Sequence, residues 1–278
     1  MPLPDGSGNR NARLCRQRPD RARRGRGCGH TDCPKHLEAE RFGALFWKTN
    51  ILIAAIIPAH DEEAHIGRCL ESILLAAKCP LLEAEPVLVV VALDACSDGT
   101  GEVARRMGAL GVEVNARNVG TARAVAAQRA LELGARWLAF TDADSEVGPG
   151  WLSSQLALQA DAVCGTVAVR DWESYGERMR RHYAATYADR DGHSHIHGAN
   201  LGVSAEAYVR AGGFRSLATS EDVALVDSLK DCGAQIIWSA APRVFTSARA
   251  SFRAPGGFGA TLERIHGAEA WAVAEAGS

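Results

Sequence analysis

Residues 51–63 read ILIAAIIPAHDEE, an apolar run that gives way to polar residues. A continuous apolar run of this kind is typical of a strand that is covered on both faces. The next residues, AHIGRCLESILLAAK (64–78), place Ile66, Leu70 and Ile73 at helical spacing. The stretch therefore predicts a buried strand that is followed by an amphipathic helix.

The same alternation continues to residue 141. It predicts strands at PVLVVVAL (86–93), VEVN (112–115) and RWLAFT (136–141), and helices at TGEVARRMGAL (100–110) and TARAVAAQRALELGA (121–135). Strands and helices that alternate with short connections are typical of a parallel sheet with crossover helices. The sequence therefore predicts an α/β fold whose first half, residues 49–146, is a Rossmann-like nucleotide-binding half.

The second half is less periodic, and we assign it to the same domain. Its predicted helices are PGWLSSQLALQA (149–160), WESYGERMRRHYAATYADRD (172–191), SAEAYVRAGG (204–213) and SEDVALVDSLKDCG (220–233). Its predicted strands are DAVCGTVAV (161–169), the end of GHSHIHGANLGV (192–203), AQIIWSA (234–240) and PRVFTSA (242–248). We place the domain at residues 49–263, between a segment at 1–48 and a tail at 264–278.

The composition, with 278 residues of which 47% are hydrophobic and 23% charged, is ordinary for a globular protein. No stretch reaches the roughly 20 consecutive apolar residues that a membrane-spanning helix needs. We therefore expect a soluble protein of the cytoplasm, or one that lies peripherally at a membrane.

The first 48 residues form a basic segment. They carry 11 Lys or Arg and 5 Asp or Glu, a net charge of +6, which leaves −8 for the rest of the chain. The arginines between Arg10 and Arg26 lie among glycine, proline and polar residues, a composition that buries little apolar surface. We predict a disordered segment and expect no nucleic-acid partner; a tether to nucleic acid or to an anionic membrane is the alternative.

The eight cysteines fall into two groups. Five are scattered singly, as small buried hydrophobic residues are in a reducing compartment: Cys69, Cys79, Cys96, Cys164 and Cys232. Cys28, Cys33 and His36 instead form CxxxxCxxH, with Cys15 upstream as a fourth candidate ligand. This spacing differs from the paired CxxC of strong zinc motifs, so a zinc site there is the weaker interpretation.

The stretch WLAFTDADSE (137–146) ends a predicted strand with Asp142 and Asp144. Side chains two positions apart in an extended chain point to the same side, so the two carboxylates would converge. Converging carboxylates suit Mg²⁺ or Mn²⁺, which prefer oxygen and share their ligands with substrate phosphates. The alternative is that the aspartates cap a helical segment or form an Asx turn.

Other strand ends also carry polar groups, and open α/β sheets bind ligands at the carboxyl ends of their strands. Asp94 fits a hydrogen bond to a nucleotide base or ribose, or a turn that precedes a helix. Arg117 and Arg123 flank a helix start at Gly120, a place that favours anions. We predict a diphosphate contact for these arginines, with solvated helix-face positions as the alternative.

Glu221 and Asp222 open a predicted helix after Ser220. One interpretation is a capped N-terminus in which acidic residues complement the helix dipole. The other is a general base that deprotonates an acceptor hydroxyl. These residue types alone do not separate the two.

His193, His195 and His197 occupy alternate positions and would share one face of an extended segment. No cysteine is near in sequence to close a zinc site. We expect them at the surface or in contact with an acceptor; one of them completing a Mg²⁺ or Mn²⁺ site is the alternative.

Six stretches, taken in order, resemble the landmarks of the family 2 glycosyltransferases. They are IIPAHDEEAHIGRCLESI, VVVALDACSDGT, NVGTARA, FTDADSEV, GANLGVSAEAYVRAGGF and SEDVALVDSLKDCG. The resemblance covers about residues 51–246. It implies a GT-A type fold, a Rossmann-like mostly parallel sheet flanked by helices with an acceptor-side second half at 147–263. It also implies a hexosyltransferase-like enzyme that moves a sugar from a nucleotide-sugar donor to an acceptor hydroxyl with inversion.

The resemblance implies a role for several residues. Four fall where such enzymes hold the nucleotide: Pro58, Ala59, Glu62 and Asp94. Asp142 and Asp144 match the DxD motif that binds Mg²⁺ or Mn²⁺, with Asp142 also serving the donor. Asp222 matches the catalytic base, and Glu221 is its neighbour.

The chain departs from the family pattern at two places. Leu93 occupies the first position of the usual pair of base-contacting aspartates. Where many relatives carry a metal-binding histidine, this chain has Thr246, Ser247 and Arg249. Metal binding would then rest on the DxD pair or on one of His193, His195 and His197; the alternative hypothesis is that Arg249 and Arg253 clamp phosphates from a loop hinged at Gly256–Gly257.

The acceptor is not specified by the sequence. Residues 172–187 and 193–197 lie where the family contacts acceptors, and they fit a saccharide, a phosphorylated metabolite or a lipid-linked acceptor alike. The aromatic residues there fit core or homodimer contacts at least as well: Trp172, Tyr175, Tyr183 and Tyr187. The competing functions are a retaining GT-A enzyme similar to glucosyl-3-phosphoglycerate synthase and a non-catalytic nucleotide-sugar-binding protein.

Overall fold

The computed structural model describes residues 52–170, 172 and 176–247. Its strands are β1 (Leu52–Ala59), β2 (Val87–Asp94), β3 (Leu110–Val114), β4 (Ala135–Phe140), β5 (Ser145–Val147), β6 (Ala162–Val169), β7 (Leu201–Ser204) and β8 (Ile236–Thr246). Its α-helices are α1 (Glu63–Ala76), α2 (Thr100–Arg106), α3 (Val119–Glu132), α4 (Trp151–Ala157), α5 (Gly176–Thr186), α6 (Ala205–Arg210) and α7 (Glu221–Asp231). A 3₁₀ turn at Pro80–Leu82 precedes β2.

The strands form one sheet in the order β3-β2-β1-β4-β7-β6-β8-β5. The first four strands of that order are parallel, as are β6 and β8. β7 runs antiparallel to both β4 and β6, and β5 runs antiparallel to β8. The predicted α/β fold with a mostly parallel sheet flanked by helices is confirmed.

Two apolar layers cover the two faces of the sheet, which explains the continuous apolar runs in its central strands. In β1, Ile53, Ala55 and Ile57 pack in the layer that contains α1, α2 and α4. Ala54 and Ile56 face the layer formed with α3, α6 and α7. All five side chains are fully buried, so neither face of β1 tolerates a polar residue.

The last strand differs from the prediction of two separate strands. Residues 236–246 form one strand whose register against β6 shifts between Gly165 and Thr166. The side-chain amide of Asn200 lies at this irregularity and donates 2.7 Å hydrogen bonds to the carbonyl oxygens of Thr166 and Pro242. The fully buried Asn200 therefore satisfies the backbone that the shift leaves unpaired.

Two further details differ from the sequence-based expectations. The strand β5 was not predicted, and the helix predicted at 172–191 is described only over Gly176–Thr186. The predicted domain boundaries at 48 and 263 lie outside the described residues. In the part of the chain that the structure describes, no helix has the length and apolarity required to cross a membrane.

Candidate functional site

The loops that follow β1 and β2 hold each other at the carboxyl edge of the sheet. Oδ1 of Asp61 accepts the Ser97 amide at 2.6 Å, and Oδ2 of Asp98 accepts the Glu63 amide at 3.0 Å. In return, the Glu63 carboxylate accepts the Gly99 amide at 2.9 Å. Hydrogen bonds led by the Ser97 amide hold the pKa of Asp61 below its usual value. The two loops therefore form one rigid edge, with α1 and α2 starting from it.

Asp61, Cys96 and Asp98 lie close enough to resemble a metal site, since their ligand atoms are within 4.8 Å of one another. It is the only such group of three among residues 52–170, 172 and 176–247. However, both carboxylates accept loop N–H groups, and the Cys96 thiol donates to the Ala59 carbonyl at 3.4 Å. These groups stabilise the loop pair, and the sequence did not predict them as ligands.

The three residues predicted to hold the nucleotide from β1 lie at the same edge. Pro58 and Ala59 end the strand, paired with Ala92 and Leu93 of β2. Glu62 is 6% exposed, and its amide donates to the Thr100 hydroxyl at 2.8 Å. Their contact with a nucleotide remains a prediction.

Asp94 shapes the loop that leads into α3. Its carboxylate accepts three backbone amides, from Ala116 at 2.7 Å and from Arg117 and Asn118 at 2.8 Å. The residue is 4% exposed. Asp94 thus has a structural role, in addition to the nucleotide contact that its position predicts.

The same loop is tied to the segment that precedes α7. Asn118 caps α3, because its Oδ1 accepts the Thr121 amide at 2.9 Å, and its side-chain amide donates to the Leu217 carbonyl at 2.7 Å. Arg117 beside it is exposed and has a positive φ of 46°. The structure leaves the predicted diphosphate contact of Arg117 untested.

Arg123 lies one turn into α3 and joins two motifs that are far apart in sequence. Its Nη2 donates to Oδ1 of Asp142 at 2.6 Å, and its Nη1 forms a short ion pair with Oε1 of Glu221. Arg123 is only 3% exposed and Glu221 is 7% exposed. Burial alone would lower the pKa of Arg123, but the neighbouring carboxylates, Asp142 first, outweigh it and raise that pKa. The guanidinium is engaged with carboxylates at the place where we predicted a diphosphate contact.

The two aspartates of DADS lie just beyond β4, in a turn rather than in the strand itself. The Ser145 amide donates to the Asp142 carbonyl at 3.1 Å, which closes the turn. Both aspartates are partly exposed. The Ser145 hydroxyl lies 3.0 Å from that of Thr246, so the end of β8 is next to this turn. The same-side argument from an extended chain does not apply to a turn.

Glu221 and Asp222 open α7, as predicted. Ser220 has a positive φ of 60° and makes no side-chain capping hydrogen bond, which counts against the simple capped N-terminus. Oδ2 of Asp222 accepts the Gly198 amide at 2.8 Å, and Oδ1 accepts the Val223 amide at 2.8 Å. The Asp222 carboxylate is therefore oriented by two backbone donors while remaining partly exposed.

The three histidines stack with one another and with Tyr187. The rings of His195 and Tyr187 are 4.0 Å apart and nearly parallel, and His193 and His197 flank His195 at 5.4 and 5.8 Å. Burial, reinforced by His195, lowers the pKa of His197 to about 4. His197 is therefore neutral near pH 7, and its Nε2 lies 3.0 Å from the Tyr187 hydroxyl.

The family is decided by a comparison with family models. A model described as glycosyl transferase family 2 matches residues 54–218, more than half of the chain. The chain belongs to glycosyl transferase family 2. A comparison with curated proteins gave no match.

Solved structures show the same fold. The chain is similar to S. aureus TarS 1-349 in complex with UDP-GlcNAc, with a TM-score of 0.57 and 16% identity over 78% of this chain and 66% of that one. It is also similar to the mannosyltransferase PcManGT from Pyrobaculum calidifontis in complex with GDP-Man and Mn²⁺, with a TM-score of 0.52 and 21% identity over 71% and 57%. The chain thus spans about two thirds or less of these two structures. The GT-A type fold is confirmed.

Some predictions concern residues that the structure does not describe. These are the basic segment 1–48, the tail 264–278, the Cys28, Cys33 and His36 motif, Tyr175, Arg249 and Arg253. Conversely, sequence reasoning missed Gly198 and Asn200 as site-building residues. Their only signal was the stretch GANLGV among the resemblance landmarks.

Proposed function

We propose that this family 2 protein transfers a sugar from a nucleotide-diphosphate-sugar to an acceptor hydroxyl with inversion, in a reaction that requires Mg²⁺ or Mn²⁺. The observation that carries the proposal is the meeting of Asp142 and Glu221 on the single guanidinium of Arg123. Two acidic motifs that lie about 80 residues apart in sequence are thereby brought to one site. A transferase site must bind two substrates. We assign the Asp142 motif to the donor and the motif of Glu221 and Asp222 to the acceptor.

The DADS turn fits a divalent cation. Asp142 and Asp144 offer partly exposed carboxylate oxygens, the ligand type that Mg²⁺ and Mn²⁺ prefer. Two protein carboxylates suit an ion that shares its coordination sphere with substrate phosphates. When bound there, the ion supplies positive charge that stabilises the departing nucleoside diphosphate.

The donor's nucleotide fits the rigid edge that is formed by the loops after β1 and β2. Pro58, Ala59 and Glu62 lie there, and Arg117 is exposed on the neighbouring loop for a phosphate contact. TarS and the mannosyltransferase, which share the fold, have structures with UDP-GlcNAc and GDP-Man. These complexes support a nucleotide-sugar as the donor class.

Asp222 is the proposed general base. Its carboxylate is fixed by the Gly198 and Val223 amides and stays partly exposed, so an acceptor hydroxyl can approach it. The carboxylate takes the hydroxyl proton as the acceptor oxygen attacks the anomeric carbon from the face opposite the leaving nucleotide. Holding donor and acceptor in line lowers the entropic part of the barrier.

The test begins with a thermal-shift screen of UDP-, GDP-, CDP- and dTDP-sugars with and without Mn²⁺, because a bound donor raises the melting temperature. The stabilising donor is then incubated with saccharide, phosphorylated and lipid-linked acceptors, and released nucleoside diphosphate is measured. An NMR assignment of the product anomer follows. Inversion is the expected result; retention would remove the base role of Asp222, and donor binding without any release would remove the enzymatic proposal.

A further inference from the structure

We propose that Arg123 is a positioning residue that couples the donor side of the site to the acceptor side, an inference that rests on the proposed function. One guanidinium holds the Asp142 carboxylate of the DADS turn and the Glu221 carboxylate at the start of α7. The next residue along α7 is Asp222. A shift of either motif is therefore transmitted to the other through Arg123.

The side chain of Arg123 is closely packed on two sides. The backbone of Gly198 packs so close that a Cβ at this residue would overlap the guanidinium. On another side, the Phe214 ring centroid lies 5.5 Å from Cζ of Arg123. A buried, planar and fully charged fork is well suited to fix two carboxylates at once.

Gly198 connects this network to the proposed base. Its Cα packs against the Arg123 guanidinium, while its amide donates to Oδ2 of Asp222 at 2.8 Å. The close approach of α3 and α7 is secured by a second glycine, since a Cβ at Gly120 would overlap the Arg215 carbonyl and lie 3.2 Å from Cβ of Glu221. Gly198 thus contacts both Arg123 and Asp222, and the starts of α3 and α7 lie close together.

Stability alone is a poor explanation for this arrangement. Buried ion pairs lose much of their attraction to desolvation, and well-packed apolar residues often replace them without loss. Nε of Arg123 also has no hydrogen-bond partner among the described residues, which adds a cost. The need to hold the Asp142 and Glu221 carboxylates in fixed positions explains the buried arginine better than a gain in folding free energy does.

The coupling predicts whether each substitution weakens or strengthens cation binding at Asp142. Arg123 forms ion pairs with Asp142 and Glu221, and the nearby Asp222 also raises the pKa of its guanidinium. If Glu221→Gln removes one partner, the guanidinium pairs more strongly with Asp142, and that carboxylate becomes less available to a cation. If Arg123→Met removes the guanidinium, Asp142 is freed and binds a cation more tightly, yet the two motifs are no longer held in register.

The experiment measures Mn²⁺ binding by electron paramagnetic resonance without donor, urea unfolding, and kcat and KM with the donor found in the screen. We expect Glu221→Gln to weaken Mn²⁺ binding about threefold, and this effect to vanish in the Arg123→Met background. We expect Arg123→Met to bind Mn²⁺ about threefold more tightly while its kcat falls about 100-fold. Removal of one positive charge beside Asp142 is enough to tighten Mn²⁺ binding, so the result that identifies coupling is the loss of the Glu221→Gln effect in the Arg123→Met background.

Arg123→Lys covers the case in which Arg123→Met fails to fold. An ammonium group keeps the charge but cannot bridge both carboxylates in a fork, so we expect kcat to fall at least about tenfold in a folded protein. Arg136→Lys is the matched control, because Arg136 forms a two-pronged pair with Glu85 at the opposite end of β4, with both distances at 2.5 Å. It should keep wild-type kcat.

The inference is overturned if Arg123→Lys turns over as fast as Arg136→Lys, or if Glu221→Gln changes Mn²⁺ binding equally with and without Arg123. If the wild-type protein transfers no sugar at all, the proposed function fails. In that case the coupling is still tested by Mn²⁺ binding to the two single variants and the double variant, because this measurement requires no donor or acceptor.

Discussion

The Gly198 amide donates a 2.8 Å hydrogen bond to Oδ2 of Asp222. Gly198 lies between the stacked histidines and β7, whereas Asp222 lies in the first turn of α7. The hydrogen bond therefore joins the segment expected to contact the acceptor to the residue expected to take its proton. A side chain at position 198 would overlap the Arg123 guanidinium, so the junction requires glycine.

Asp222→Asn should abolish most turnover without loss of donor binding. The amide keeps the size of the side chain but cannot accept the acceptor's proton, so we expect kcat to fall about 10²- to 10⁴-fold. Donor affinity, measured by calorimetry with Mn²⁺, should stay within about twofold of wild type. The control is Asp227→Asn, which changes an exposed carboxylate on the same helix. Retained turnover in Asp222→Asn would assign the base to another group.

Asp144→Asn should remove the metal-dependent part of donor binding. The substitution takes one anionic oxygen ligand from the proposed cation site. With the wild-type protein, Mn²⁺ and a donor at roughly 100 times its dissociation constant should raise the melting temperature by about 5 °C or more, and the variant should lose this increase. Asp231→Asn, an exposed change on α7, is the control. Equal Mn²⁺-dependent stabilisation in both variants would exclude Asp144 as a ligand.

The first half of the fold was predictable because its signal is local. Strands such as β1 and β2 are covered on both faces, so their sequences are apolar throughout, and each adjoining helix has its own apolar stripe. The three-residue strand β5 carries no such signal and exists because it pairs with β8, about 100 residues away. The irregularity in β8 likewise depends on Asn200, a distant side chain.

The site was predictable in its acidic residues but not in their connections. Asp142 and Glu221 stand out as parts of short motifs, and the strand-end rule places Asp142 at the sheet edge. Arg123 was assigned to a diphosphate because a helix start attracts anions. Nothing local to α3 shows that two carboxylates from elsewhere in the chain surround its guanidinium.

Asp94→Asn should destabilise the protein even without a nucleotide. The carboxylate accepts three loop amides, and an asparagine would place an NH₂ group against at least one of them. We expect the free energy of unfolding in urea to fall by about 2–3 kcal/mol. Glu113→Gln, on the exposed face of the adjacent strand β3, should change it by less than about 0.5 kcal/mol. Unchanged stability with lost donor affinity would show that Asp94 acts only on the nucleotide.

His197 should make the protein less stable in mild acid. Burial and the neighbouring His195 lower its pKa to about 4, from 6.5 when unfolded. The unfolded chain therefore takes up a proton that the folded chain resists, so the contribution of His197 is complete above pH 6.5 and is lost as the pH falls towards 4. Asp222 and Tyr187 also face the ring; Asp222 opposes the shift without cancelling it.

The measurement compares urea unfolding at pH 7 and pH 5 in the wild type and in His197→Gln, which keeps a polar atom near the Tyr187 hydroxyl. The wild type should lose about 2 kcal/mol more than the variant over this interval, because the variant has no group that titrates there. The other histidines and the carboxylates are present in both proteins, so their contributions cancel in the difference. Parallel pH profiles for the two proteins would mean that His197 has the same pKa in the folded and unfolded states, and hence that its ring is not shielded from solvent.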